Sequence, residues 1–115
     1  MGEFSKGLMH GYGEFYWPDG KKYCGYYVNN LKDGLGIFFW NLNQLKVYVG
    51  FWHNGEQNGV GLIINESKIT YGYWNKGKKE ISFKSLWEMK KYAKEKTIKY
   101  SKLFEKDPKE ILNRL

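Results

Sequence analysis

At 115 residues the chain has room for one modest core and not for two independent ones. Aromatic residues make up 19% of it and glycine fills 14 positions, which favours tightly turned β-hairpins over a helical bundle. The lone cysteine, Cys24, excludes an internal disulfide and fits a reducing, intracellular setting, no stretch has the form of a secretory leader or a membrane span, and the net charge of +7 implies attraction to acidic partners without naming one.

Taken in chain order, the first predicted hairpin runs through Gly2, Phe4, Gly7 and His10-Gly11-Tyr12-Gly13 into the apolar run Phe15-Tyr16-Trp17, then turns at Pro18-Asp19-Gly20. Its first strand is expected to be nearly absent. The second begins at Tyr23-Cys24-Gly25-Tyr26-Tyr27, turns at Asn30, and passes Gly34-Leu35-Gly36 into Ile37-Phe38-Phe39-Trp40. The third begins at Tyr48-Val49-Gly50-Phe51-Trp52, turns at Gly55, and passes Gly59-Val60-Gly61 into Leu62-Ile63-Ile64. The fourth has Thr70 where the others lead with Tyr, then Gly72, Trp74 and Gly77, and Lys78-Lys79-Glu80-Ile81 replaces its Gly-x-Gly half.

Three columns of glycine tie these segments together. Gly2, Gly25, Gly50 and Gly72 step by 23, 25 and 22 residues, while Gly11, Gly34 and Gly59 step by 23 and 25, as do Gly13, Gly36 and Gly61. The extra two residues in the third unit fall between Asn41 and Lys46. Gly7, Gly55 and Gly77 share a fourth column in which Asn30 stands in, the usual substitute where φ must be positive. Two residues after each first-column glycine comes Phe4, Tyr27, Trp52 or Trp74, always aromatic.

The order Tyr-x-Gly-x-Trp, then Gly, then His-Gly-x-Gly resembles the MORN repeat over about residues 2 to 79, with His10-Gly11-Tyr12-Gly13 and Tyr23-Cys24-Gly25-Tyr26-Tyr27 carrying it as well. The resemblance implies a mostly β fold: an elongated, single twisted antiparallel sheet of stacked hairpins, about three and a half units over residues 1–81, followed by a basic helical tail over 82–115. Similar proteins occur in radial-spoke and other cytoskeletal assemblies, in junctional membrane proteins and beside lipid kinases. A non-enzymatic scaffold follows from the resemblance, one that positions partners in a cytoskeletal, ciliary or membrane-associated assembly, in the cytoplasm near the cytoskeleton or the inner face of a membrane.

Stacking is a physical need, because a lone hairpin is marginal in water. It sets equivalent side chains above one another, Phe15 over Phe38 over Ile63 and Tyr16 over Phe39 over Ile64. Consecutive apolar residues point to opposite faces, so both faces of the sheet are apolar: one makes the core and the other calls for cover by the tail or a partner. Strong twist and glycine bulges are the alternative, folding both sets into one interior. The aromatic file Phe4, Tyr27, Trp52 and Trp74 is the expected grip for an extended or helical segment of a partner protein.

In the tail, Ser85-Leu86-Trp87-Glu88 reads as a capping box, and Leu86, Met89, Ala93, Tyr100 and Phe104 form one stripe on a helix expected to reach about Glu105. Asp107-Pro108 then starts a second helix with Ile111, Leu112 and Leu115 on its apolar edge. The tail is expected to cap the last hairpin or fold back along the sheet, with docking into a partner as the alternative.

Reactive chemistry is scarce. Two histidines and one cysteine are too few for a closed zinc site, His10 shares its column with the turn residues Asp33 and Asn58, and Cys24 shares its own with Val49 and Tyr71. No serine sits in a Gly-x-Ser-x-Gly setting, no helix follows the Gly-x-Gly pairs to make a phosphate cradle, and Glu14 with Asp19 reads as a solvated rim. No catalysis, metal or cofactor is expected. Anionic lipid is a second possible ligand, met by Lys21, Lys22, Lys76, Lys78, Lys79, Lys90, Lys91 and Lys94. Nucleic acid is not expected, for want of an RNP-type motif, and the unpaired N-terminal edge leaves self-association open.

Overall fold

The structure, a computed structural model, describes residues 2–5, 7–41 and 46–113. Eight strands form one antiparallel sheet in sequence order: β1 (Gly2–Ser5), β2 (Leu8–Tyr16), β3 (Lys22–Val28), β4 (Leu31–Asn41), β5 (Lys46–His53), β6 (Glu56–Asn65), β7 (Lys68–Asn75) and β8 (Lys78–Phe83). The first strand, expected to be nearly absent, is present as four residues paired with β2. β8 forms although its segment lacks the Gly-x-Gly pair. The expected two-residue insertion falls mainly on 42–45, outside the described residues.

Turn chemistry sets the hairpins. At Asn29-Asn30, Asn54-Gly55 and Lys76-Gly77 both central residues have positive φ, as a two-residue turn that matches strand twist requires, and Asn30 (φ 70) takes the place of Gly55 (φ 83) in its column. Registers then follow the columns. Gly2, Gly13, Gly25, Gly36, Gly50, Gly61 and Gly72 pair directly with one another from β1 to β7, a row without side chains across seven strands. Beside it, Phe15, Tyr23, Phe38, Tyr48, Ile63 and Thr70 form a second row, and Cys24, Ile37, Val49, Leu62, Tyr71 and Phe83 a third. The expected file of Phe15, Phe38 and Ile63 is therefore interleaved with Tyr23 and Tyr48.

Alternation divides the rows between two faces, and each face has its own buried cluster in place of one shared interior. On one lie Ile37, Phe39, Val47, Val49, Val60, Leu62, Ile64 and Phe83, packed with Met89, Ala93, Phe104 and Ile111 of the tail. On the other lie Tyr23, Tyr27, Tyr48, Trp52 and Trp74, and no tail residue joins them among the described residues.

The tail folds back along the first face. α1 (Leu86–Lys96) starts where the capping box places it, with the Ser85 hydroxyl accepting from the Glu88 N–H at 3.1 Å, and it lies on β7 and β8. Tyr92 meets Tyr73 and Phe83 at ring-centroid distances of 5.5 and 5.2 Å. The helix does not continue to Glu105. Thr97 adopts left-handed geometry (φ 56), and the Thr97 and Ile98 N–H groups donate to the Lys94 and Ala93 carbonyls at 3.2 and 3.0 Å, which closes the helix. The stripe spacing carries the helix past this stop because half-buried Tyr100 and buried Phe104 are apolar positions of another element: Phe104 belongs to a separate 3-10 turn, Lys102–Glu105, and packs on Phe51 of β5 at 5.9 Å. α2 (Pro108–Asn113) begins as expected, with Asp107 accepting from the Lys109 N–H at 2.8 Å.

Candidate functional site

The face opposite the tail is built on the glycine row. Tyr23 and Tyr48 lie over it, fully buried, where a Cβ on Gly36 would meet the Tyr23 ring and one on Gly50 the Tyr48 ring. Each phenol donates back to its own strand, Tyr23 to the Tyr26 carbonyl and Tyr48 to the Phe51 carbonyl, both at 3.1 Å. Burial raises both phenols above the ordinary tyrosine range, and raises Tyr27 to about 12.

The rings hold one another edge to face. Tyr23 meets Tyr27 at 5.2 Å and Trp52 at 5.5 Å, and Tyr48 meets Trp52 at 5.4 Å and Trp74 at 4.9 Å, each with planes between 78° and 89°. Such pairs contribute about 0.5–1.5 kcal/mol beyond their buried area.

Tyr27, Trp52 and Trp74, expected to grip a partner, are 5, 8 and 3% exposed. They form the floor of this face. The Phe4 side chain lies outside the described residues. The accessible walls are half-buried rings that the sequence reading did not assign to the grip: Trp17, Phe38 and Trp40, with Phe15 more exposed still. Phe15 stacks on Trp17 at 4.7 Å, and Phe38 meets Trp40 at 5.3 Å and Trp52 at 5.9 Å. Two open depressions of ≈ 300 and ≈ 290 Å³ lie among them, one bounded by Phe15, Trp17 and Tyr27, the other by Phe38, Trp40 and Trp52. Lys32 and Gly55 line both.

Lysines stand over these rings. The Lys46 Nζ lies 4.7 Å from the Trp40 ring centroid and the Lys79 Nζ 5.7 Å from that of Trp74. Lys32, which no sequence argument singled out, is surrounded by four rings. A signal existed: Met9, Lys32, Gln57 and Lys79 pair in register with Phe4, Tyr27, Trp52 and Trp74, one beside each aromatic of the file.

The lysines suggested for lipid are scattered. Lys21 and Lys22 flank the β2–β3 connection, at the opposite end of the strands from Lys76 and Lys78 in the β7–β8 turn. Lys21 pairs with Asp19 at 3.1 Å and Lys22 with Glu14 at 3.9 Å, while Lys79 lies on Trp74. In the tail Lys90 pairs with Glu105 at 3.1 Å and Lys91 with Glu95 at 4.0 Å, and Lys94 is exposed in the last turn of α1.

Reactive groups stay apart. Cys24 is 3% exposed and burial raises its thiol to about 11, so it is protonated near neutral pH. The His53 Nδ1 meets Asp33 at 3.2 Å on the surface, and no cluster of three metal-ligating side chains occurs among the described residues. No described helix is long and apolar enough to cross a membrane.

Comparison with known proteins accounts for this architecture. The family model for the MORN repeat matches residues 1–22, 23–41 and 48–64, so β7 and β8 continue the stack beyond the matched units. The chain is 34% identical over 80 residues to MORN repeat-containing protein 3 of Xenopus laevis, covering 64% of this chain and 32% of that protein. It is 41% identical over 64 residues to Alsin of Mus musculus, 53% of this chain and 4% of Alsin, and 30% identical over 80 residues to the human ALS2 C-terminal-like protein, 66% of this chain and 8% of that protein. The chain thus spans a third or less of each of these relatives. The glycine row, the tyrosines above it and the matched units agree: this chain belongs to the MORN-repeat family.

Proposed function

We propose that the protein is a binding scaffold that holds a segment of another protein against the aromatic face. One observation carries this reading: the sheet has two apolar faces, and the described chain covers only one of them. Trp17, Phe38 and Trp40 supply the rigid, amphipathic contact area that interfaces favour, and the hairpins beneath keep them fixed without loss of side-chain freedom on binding. The family's repeats are generally non-enzymatic, in keeping with a role in positioning partners within a cytoskeletal, ciliary or membrane-associated assembly.

A paired Trp17→Ala and Trp40→Ala variant tests it. The variant stays folded by circular dichroism, because both rings are only half-buried, and loses the partners that the unaltered chain recovers by pull-down; undiminished recovery would sink the reading. Peripheral attachment to anionic phospholipid through the dispersed lysines is the alternative, supported by the net charge of +7 and the exposed Lys76 and Lys78. Sedimentation with anionic vesicles, repeated in high salt, separates the two, since lipid attraction fades as screening rises.

A further inference from the structure

Lys32 is the second residue of β4 and lies opposite Tyr27 in β3. Its ammonium sits among four rings, at 5.2 Å from the centroid of Trp52, 5.3 Å from Trp17, 5.6 Å from Tyr23 and 5.7 Å from Phe38. Rings attract a cation through their quadrupoles yet carry no net charge, so they hold the ammonium without neutralising it. Among the described residues no carboxylate pairs with it. Burial also lowers its pKa, as expected of a cation drawn out of water with no counter-ion.

Among the described residues this neighbourhood holds donors without partners, while its carboxylate and amide side-chain acceptors are Glu56, Gln57 and Asn30, the last already accepting from the Met9 N–H. Lys32 offers donors only, and the buried Trp52 indole N–H has no acceptor among the described residues. Lys46 and Lys79 add two cations over rings of the same face. Of the residues lining the two depressions, Glu56 is the carboxylate; it is exposed and sits beside the Gly77 turn.

We propose that the two depressions form one groove for an acidic peptide segment, with an Asp or Glu carboxylate seated on Lys32 and apolar side chains in the depressions on either side. This rests on the scaffold reading above and deepens it by naming the partner's chemistry. A carboxylate supplies the acceptor that the half-buried ammonium lacks, in surroundings where the pair is weakly screened. A basic segment would meet Lys32, Lys46 and Lys79 and be repelled, so the same lysines set selectivity as well as affinity.

The test uses the full chain and a phage-displayed library of random peptides. Recovered peptides are then compared with their neutral counterparts, Asn for Asp or Gln for Glu, by fluorescence anisotropy against the unaltered protein and against Lys32→Met, Lys32→Arg and Lys32→Glu. Lys32→Met keeps the apolar stem and, by circular dichroism, the fold.

The expected result is an acidic residue flanked by apolar ones, with neutralisation weakening binding roughly tenfold or more to the unaltered protein and to Lys32→Arg. Against Lys32→Met the acidic and neutral peptides bind alike, and Lys32→Glu reverses the preference toward a basic peptide. Recovered peptides that show no acidic preference, or a preference that survives in Lys32→Met, overturn the inference and leave the scaffold reading standing. Failure to recover any peptide that depends on Trp17 and Trp40 overturns both. Anionic phospholipid vesicles that bind through Lys32, with no peptide preference, overturn it in favour of a membrane surface.

Discussion

On one face of the sheet the row Ile37, Val49, Leu62 is aliphatic, and it is buried together with Met89, Ala93, Phe104 and Ile111 from outside the sheet. On the other, Tyr23, Tyr48, Trp52 and Trp74 reach the same degree of burial with, among the described residues, strand residues and Trp17 alone. The difference is geometric. Branched aliphatic side chains stand up from a sheet and need a second layer, whereas large rings lie down over a row of glycines and shield one another. A face of the second kind is finished without being covered, which frees its outer rings for contact.

Breaking that floor gives the largest expected effect. Gly36→Val drives a branched side chain into the buried Tyr23 ring and is expected to cost about 3 kcal/mol, the upper end of the usual overpacking range, in chemical denaturation. Gly13→Ala belongs to the same row but meets the Met9 methyl group at 3.3 Å, a flexible neighbour, and is expected to cost under about 1 kcal/mol. Equal losses at both positions would refute the idea that the rings hold the row.

On the covered face, Met89→Ala removes a fully buried tail side chain and is expected to cost about 2–5 kcal/mol, with dye binding to the uncovered aliphatic row as a second measure. Alkali acts on the open face instead. Buried Tyr23, Tyr48 and Tyr27 stay neutral in the folded chain, while the same phenols ionise at about pH 10 once unfolded. Their contribution to stability is intact below about pH 10 and is lost as pH rises beyond it. Part of the phenolate absorbance should therefore appear only together with loss of the circular dichroism signal.

Smaller changes sharpen the contrast. Thr97→Gly relieves a β-branched residue in left-handed geometry and is expected to stabilise the chain by about 1 kcal/mol in thermal melts. Lys32→Met is expected to shift stability by less than about 0.5 kcal/mol, since loss of the ring contacts is offset by removal of a desolvated charge. That variant thus isolates binding from folding.

Much of this was legible in the residues. Matching steps across the glycine columns placed the rows, Asn30 announced its turn, and Ser85 with Glu88 announced the start of α1. The end of α1 was not legible from the apolar stripe, because spacing counts only which side chains are buried and not which element buries them; Thr97-Ile98 was the local sign. Nor did the file of Tyr27, Trp52 and Trp74 reveal its depth. A column records recurrence, and a ring recurs equally well whether it packs inward or reaches out. Lys32 escaped for a related reason: its cage comes from Trp17 in one hairpin, Tyr23 and Phe38 in the next and Trp52 in a third, and only the register brings them together.

The in-phase glycine row also makes the molecule a ruler. Each added hairpin lengthens the open face by two strand spacings, about 10 Å, and leaves every existing row aligned. A single residue inserted within a strand would instead exchange its tyrosine and aliphatic sides. Growth by whole units is therefore the tolerated change, and the length of segment that such a protein can measure along its surface varies in steps.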